Sequence, residues 1–146
     1  MTATYDKKES NGSFKKALHL LSSEGLSGAM LVVERELECD PMNWEAWSAK
    51  ADIHYFNENY DASMQCCERS IKLNPDNALA YNIKGNIFYK SGRYKEAIEC
   101  YNRAIEIEPL FVKAWYNKKI ATELQLKKSR PKVRYILPRE GNQRKR

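Results

Sequence analysis

The sequence predicts an all-α fold, a solenoid of stacked antiparallel helix pairs with about seven helices. A fixed stride is the first sign. Shifted back by 34 residues, residues 78–111 fit the preceding stretch without a gap: Ala80 falls on Ala46, Tyr81 on Trp47, Lys84 on Lys50, Tyr89 on Tyr55, Cys100 on Cys66 and Ile105 on Ile71. Punctuation is the second sign. Pro109, Pro75 and Pro41 stand in one register, and proline ends a helix because it lacks an N–H and pushes its predecessor out of helical geometry. Apolar spacing inside each unit is the third. Ala80, Tyr81, Ile83, Ile87 and Phe88 recur at helical steps, as do Tyr94, Ala97, Ile98, Tyr101, Ala104 and Ile105. Between the runs stands Ser91-Gly92, and glycine takes the left-handed turn after a helix at little cost.

The elements follow in order. Residues 1–11 are polar, lack an apolar period and read as a flexible N-terminus. Asn11-Gly12-Ser13 fits the glycosylation pattern, but without a secretory signal it reads as chance. Residues 12–43 thread onto the same frame: Ala17 falls on Gly85, Leu20 on Phe88, Leu26 on Tyr94, Ala29 on Ala97, Val33 on Tyr101 and Leu37 on Ile105. Glu36 on Ala104 departs from it. The segment reads as a degenerate terminal repeat, with an unrelated helical pair as the alternative. Residues 44–77 and 78–111 are the two clear units. Residues 112–128 begin a further first helix, with Ala114 and Trp115 on Ala80 and Tyr81, and no second helix follows. One hairpin cannot bury its own apolar face, so the units need one another.

The second unit carries Tyr81, Gly85, Phe88, Ala97, Tyr101 and Pro109 at the spacing of the tetratricopeptide pattern, aromatic-x2-Leu-Gly-x2-Tyr, Ala-x3-Phe, Pro. The earlier unit is looser, with Trp47, Ala51, His54, Ser63, Cys67 and Pro75. On these residues the chain resembles the tetratricopeptide-repeat family. Lys50 and Lys84 stand where leucine is usual, a form that looks like a microbial, especially archaeal, subclass. Their stems can lie along apolar surface with the charge in water.

The resemblance implies a right-handed solenoid whose lone last helix is a cap. It also implies a non-enzymatic scaffold or adaptor for protein–protein interaction, binding a peptide or partner helix in a concave groove lined by the first helices. Carried over position by position, the groove takes Glu45, Ser48, Asp52, Tyr55 and Phe56, then Leu79, Asn82, Asn86, Tyr89 and Lys90, then Lys113, Tyr116, Ile120 and Glu123. The candidate contact set is Asp52, Tyr55, Asn82, Asn86, Tyr89, Lys90, Lys113 and Tyr116. Asn82 and Asn86 are four apart and share a helix face, and an amide both donates and accepts, as a peptide backbone requires. Chaperone-binding members grip a terminal carboxylate with five residues. The corresponding positions here are Ser48, Asp52, Ile83, Lys113 and Asn117, of which only Lys113 matches, and Asp52 would repel a carboxylate. A chaperone clamp is therefore not expected. The groove grades from acidic (Glu45, Asp52) through amides to basic (Lys90, Lys113), so a ligand positive near Asp52 and negative near Lys113 would be complementary.

Catalytic and cofactor motifs are not found. His19 and His54 have no metal-like partner set, and His54 takes the packing position of Phe88. There is no glycine-rich phosphate loop, no Gly-x-Ser-x-Gly elbow and no His-Glu-x-x-His pair. Neither enzyme, metal site nor cofactor is expected. Four cysteines (39, 66, 67 and 100) lack paired spacing. With no secretory signal and no apolar run of the roughly 20 residues a bilayer demands, they point to buried thiols in a reducing, cytoplasmic setting.

The net charge of +6 is uneven. Residues 127–146 hold nine Lys and Arg against Glu140, while the remainder holds 16 basic and 18 acidic side chains. Residues 129–146 read as a basic tail, with Val133, Tyr135, Ile136 and Leu137 as a short apolar piece and disorder from Pro138 onward. An alternative function follows: weak binding of nucleic acid or an anionic surface through residues 127–146. Trp115, Tyr116, Ile120 and Leu124 on the last helix leave apolar surface for its own solenoid, the tail or a second copy, so the sequence leaves monomer and dimer open.

Overall fold

The computed structural model describes residues 25–130, all of whose regular structure is helical. The helices are α1 (Gly25–Cys39), α2 (Trp44–Phe56), α3 (Tyr60–Leu73), α4 (Ala78–Lys90), α5 (Tyr94–Ile107) and α6 (Val112–Ser129). The flexible N-terminus expected at residues 1–11, the first helix of the degenerate repeat with Ala17, His19 and Leu20, and tail residues 131–146 lie outside the described residues. Six of the expected helices are therefore seen, without strands among the described residues.

Each second helix is wedged between two first helices: α3 packs on α2 and α4, and α5 on α4 and α6, while α1 packs on α2. The first helices α2, α4 and α6 also touch in sequence. Four small apolar clusters fill the seams instead of one central core. Ala29, Val33, Ala46, Ala49 and Ile53 join α1 to α2; Ala51, Cys66, Cys67, Ile83 and Ile87 join α2, α3 and α4. Ala78, Ala104 and Ala114, then Ala97, Tyr101 and Ala121, continue the stack to α6. Burial raises the pKa of the Cys67 thiol to about 12 and of Cys100 to about 11, so these cysteines stay protonated and pack as small apolar groups.

The helix ends repeat as well. Asn43, Asn59 and Asn77 cap α2, α3 and α4, their side chains accepting from the backbone N–H of Ala46, Ala62 and Ala80. Gly92 takes a φ of 74° after α4, and Glu58, one repeat earlier, takes 59°. A glutamate there bears a conformational cost that glycine avoids. Trp47 and Trp115, two repeats apart, each donate Nε1–H to a proline carbonyl, those of Pro41 and Pro109, at 2.9 Å.

Gly85 marks the closest approach within a hairpin. A Cβ there would stand 2.5 Å from Cε1 of Tyr101, so the tyrosine ring lies against bare backbone. The lysines at Leu-type positions also find their reason. Lys50 pairs with Glu34 of α1 at 3.4 Å, and Lys84 with Glu68 of α3 at 3.6 Å. The same cross-repeat pair is thus made twice. On α6 the corresponding Lys118 lies over the Trp115 ring at 5.3 Å. Lys119 stands exposed where Gly85 and Ala51 admit a second helix.

Candidate functional site

The face shared by α2, α4 and α6 holds a polar cluster built from three asparagines and a tyrosine. Asn117 of α6 donates through Nδ2 to Oδ1 of Asn82 at 3.1 Å and to Oδ1 of Asn86 at 3.0 Å, both on α4. Tyr101, reaching through from α5, donates its hydroxyl to the same Asn86 Oδ1 at 2.8 Å. Both lone pairs of that oxygen are occupied. The Asn82 and Asn86 amide nitrogens make no bond to another described residue, and no buried side-chain nitrogen or oxygen there lacks a partner. These NH2 groups and the Asn117 carbonyl therefore keep donors and an acceptor in reserve.

Beside the cluster lies a cavity of about 160 Å³, lined by Tyr55, Asn86, Tyr89, Tyr101, Asn117 and Ile120. Tyr55 and Tyr89 occupy one repeat position on neighbouring helices. Each ring is held by a tilted neighbour: Tyr60 at 5.7 Å from Tyr55, and Tyr94 at 5.8 Å from Tyr89. A second cavity, of about 430 Å³, opens at the N-terminal ends of α2 and α4 among Trp44, Glu45, Asp76, Leu79, Ile107 and Glu108.

Asp52 sits one turn before Tyr55 and makes no ion pair or hydrogen bond among the described residues. Burial raises its pKa above 3.8, and Lys113 pulls it partly back. The acid and the base expected at opposite ends of the groove thus feel each other's charge. A proton is bound more readily by folded Asp52 than by the unfolded chain, so ionisation opposes folding at pH values above the raised pKa, and the penalty vanishes below 3.8. Asp52→Asn is expected to raise the melting midpoint at pH 7 and leave it unchanged at pH 3, as followed by circular dichroism.

The other expected groove residues divide by depth. Asn82 is 4% exposed and Ser48 1%; Ser48 faces inward, bonded to Ser70 and Asn77. Tyr116, at the same repeat position, is 64% exposed. Lys90 and Lys113 lie in solvent, while Tyr55 and Tyr89 are half-buried. In the sequence, Asn117 stands at a repeat-matching position that fails the chaperone clamp and carries no further signal of this role. Tyr101 stands at a packing position, although a tyrosine where the repeat pattern has phenylalanine signals that the ring tip meets polar surroundings.

Tetratricopeptide-repeat models match residues 44–77 and 78–110. The fold is a tetratricopeptide-repeat solenoid. It resembles the first such domain of Spaghetti (RPAP3) bound to the HSP90 peptide SRMEEVD, with a TM-score of 0.72, 17% identity, and coverage of 86% of this chain and 99% of that one. For the first such domain of human RPAP3 the values are 0.72, 18%, 80% and 91%. An O-GlcNAc transferase mutant from Thermobaculum terrenum gives 0.73 and 24%, with 83% of this chain covering 23% of the transferase. At these identities the likenesses establish the tetratricopeptide fold. They do not single out the microbial, especially archaeal, subclass suggested by Lys50 and Lys84. No curated protein matches the sequence. No described helix is long and apolar enough to cross a membrane.

Proposed function

We propose that the chain is a non-enzymatic interaction module, an adaptor that holds an extended peptide or partner helix against α2, α4 and α6. One observation carries this reading: the Asn117 amide ties Asn82 and Asn86 together by their carbonyls, leaving their NH2 groups for a ligand. Fixed donors beside a fixed acceptor suit the alternating carbonyl and N–H groups of a peptide backbone. The contacts proposed are Asn82, Asn86, Tyr55, Tyr89 and Asp52, with Lys90, Lys113 and Tyr116 on the rim. The HSP90 peptide bound by the RPAP3 relative favours a peptide ligand. Asp52 at the clamp position argues against a ligand held by its terminal carboxylate.

Asn82→Ala combined with Asn86→Ala is expected to weaken binding of a fluorescent randomised nonapeptide pool by roughly tenfold or more, since two or three hydrogen bonds are lost. The variant also melts lower, because Asn117 loses both acceptors. Anisotropy is therefore measured well below the midpoint, at full helical signal. Unchanged affinity would remove the groove from the interpretation.

A second reading rests on charge. Residues 127–146 are strongly basic, which suits a weak contact with nucleic acid or an anionic surface. Truncation after Lys128 is expected to abolish retention of the chain on single-stranded RNA at low salt. Retention that survives truncation rules this contact out.

A further inference from the structure

Resting on the peptide-groove reading, we propose that the cavity between Tyr55 and Tyr89 is the seat of a cationic side chain, a lysine or arginine of the bound peptide, with Asp52 as its counterion. Three features support this, the first in the cavity itself and the other two at Asp52 on the neighbouring turn of α2. The cavity is the right kind of space: its walls are Tyr55, Tyr89, Tyr101 and Ile120, with Asn86 and Asn117 as polar edges. A volume of about 160 Å³ admits one side chain with its terminal methylenes and excludes a helix. The aromatic faces are fixed by their Tyr60 and Tyr94 neighbours, and fixed rings attract a cation without first losing their own freedom.

The second feature is Asp52. It lies on the helix face of Tyr55, three residues away; burial chiefly raises the Tyr55 pKa, and Tyr60 and then Asp52 add to the rise. Its carboxylate forms none of the ion pairs or side-chain hydrogen bonds made among the described residues, although Glu34, Glu68, Glu96 and Glu106 all do. A partly desolvated carboxylate without a donor has bonding capacity left for a ligand. Third, Lys113, whose charge pulls the Asp52 pKa partly back, is exposed and makes no ion pair with it. A ligand cation therefore competes with a solvated charge that is not bonded to the carboxylate.

The polar edges fit as well. Asn117 Oδ1 is a spare acceptor for an ammonium or guanidinium N–H, while the Tyr101 hydroxyl is already committed to Asn86. The methylenes of a lysine or arginine would lie along Ile120 and the tyrosine faces.

Full-length chain is titrated by anisotropy into fluorescent nonapeptide pools, randomised except for a central lysine, arginine, norleucine or glutamate. The lysine and arginine pools are expected to bind at least roughly tenfold more tightly than the norleucine pool, and the glutamate pool most weakly. Asp52→Asn should bring the lysine pool to the level of norleucine, and Asp52→Lys should reverse the preference toward glutamate. Lys113→Gln should tighten the lysine pool. Asp52→Asn is isosteric and removes a desolvated charge, so misfolding does not account for its result. Equal binding of lysine and norleucine pools, or a lysine preference that survives Asp52→Asn, overturns the cation seat while the groove stands, provided the Asn82 and Asn86 substitutions still weaken all pools. If no pool binds, the groove reading and the cation seat fall together.

Discussion

Tyr101→Ala is expected to destabilise the protein by about 3–5 kcal/mol, the range for removing a large buried aromatic side chain. Tyr101 is 1% exposed, packs with Ala97 and Ala121 between α5 and α6, and has its ring against the bare backbone at Gly85. The contact also predicts how the two positions depend on each other. Gly85→Ala in the natural background gains about 1 kcal/mol of helix propensity. It sets a Cβ 2.5 Å from the ring, however, and overpacking of this kind costs about 1–3 kcal/mol. The net effect is a loss. With Tyr101 already alanine, the clash is gone and Gly85→Ala becomes stabilising. Urea unfolding of the four proteins in this cycle gives the coupling directly. If Gly85→Ala has the same effect in both backgrounds, the ring does not rest on Gly85.

The stacking of helices was readable from the 34-residue stride and its prolines because every repeat must bury the same seam. Depth within the groove was not. Ser48, Asn82 and Tyr116 share one repeat position, yet they are 1%, 4% and 64% exposed. Ser48 is drawn inward by hydroxyl and amide partners on α3 and the loop after it. Asn82 is roofed by Asn117 of the next first helix, whereas Tyr116 belongs to α6, beyond which no further helix is seen among the described residues. A repeat frame assigns faces, but the neighbour on the far side decides burial. The Lys50 and Lys84 pairs were more accessible in principle: Glu34 and Glu68 each precede their lysine by 16 residues, a second periodic signal that outlines which helices touch. Asn117 gave less warning, since it falls outside the rows of positions that the family pattern places in the groove.

Asn77→Ala is expected to cost about 2–4 kcal/mol, well above the loss for an ordinary helix cap. Capping alone accounts for about 1 kcal/mol, because the Asn77 side chain accepts from Ala80 N at 3.3 Å. The remainder comes from its other end. The Nδ2 group of this residue, 3% exposed, donates to both Ser48 Oγ and Ser70 Oγ. Those hydroxyls lie 2.8 Å apart and both can donate to the Trp44 carbonyl, at 3.1 and 2.7 Å. One amide thus closes a junction of α2, α3 and α4 away from water, and its loss leaves buried acceptors short of donors at about 1–3 kcal/mol. Asn59→Ala is the comparison: Asn59 caps α3 in the same way from an exposed position, so its removal should cost only the capping share. Asn77→Ser keeps a capping oxygen but cannot bridge both hydroxyls, and should fall between the two. Urea unfolding of the three variants orders them. Equal losses for Asn77→Ala and Asn59→Ala would mean that the buried amide contributes nothing beyond its cap, and that the three-helix junction is held by apolar packing alone.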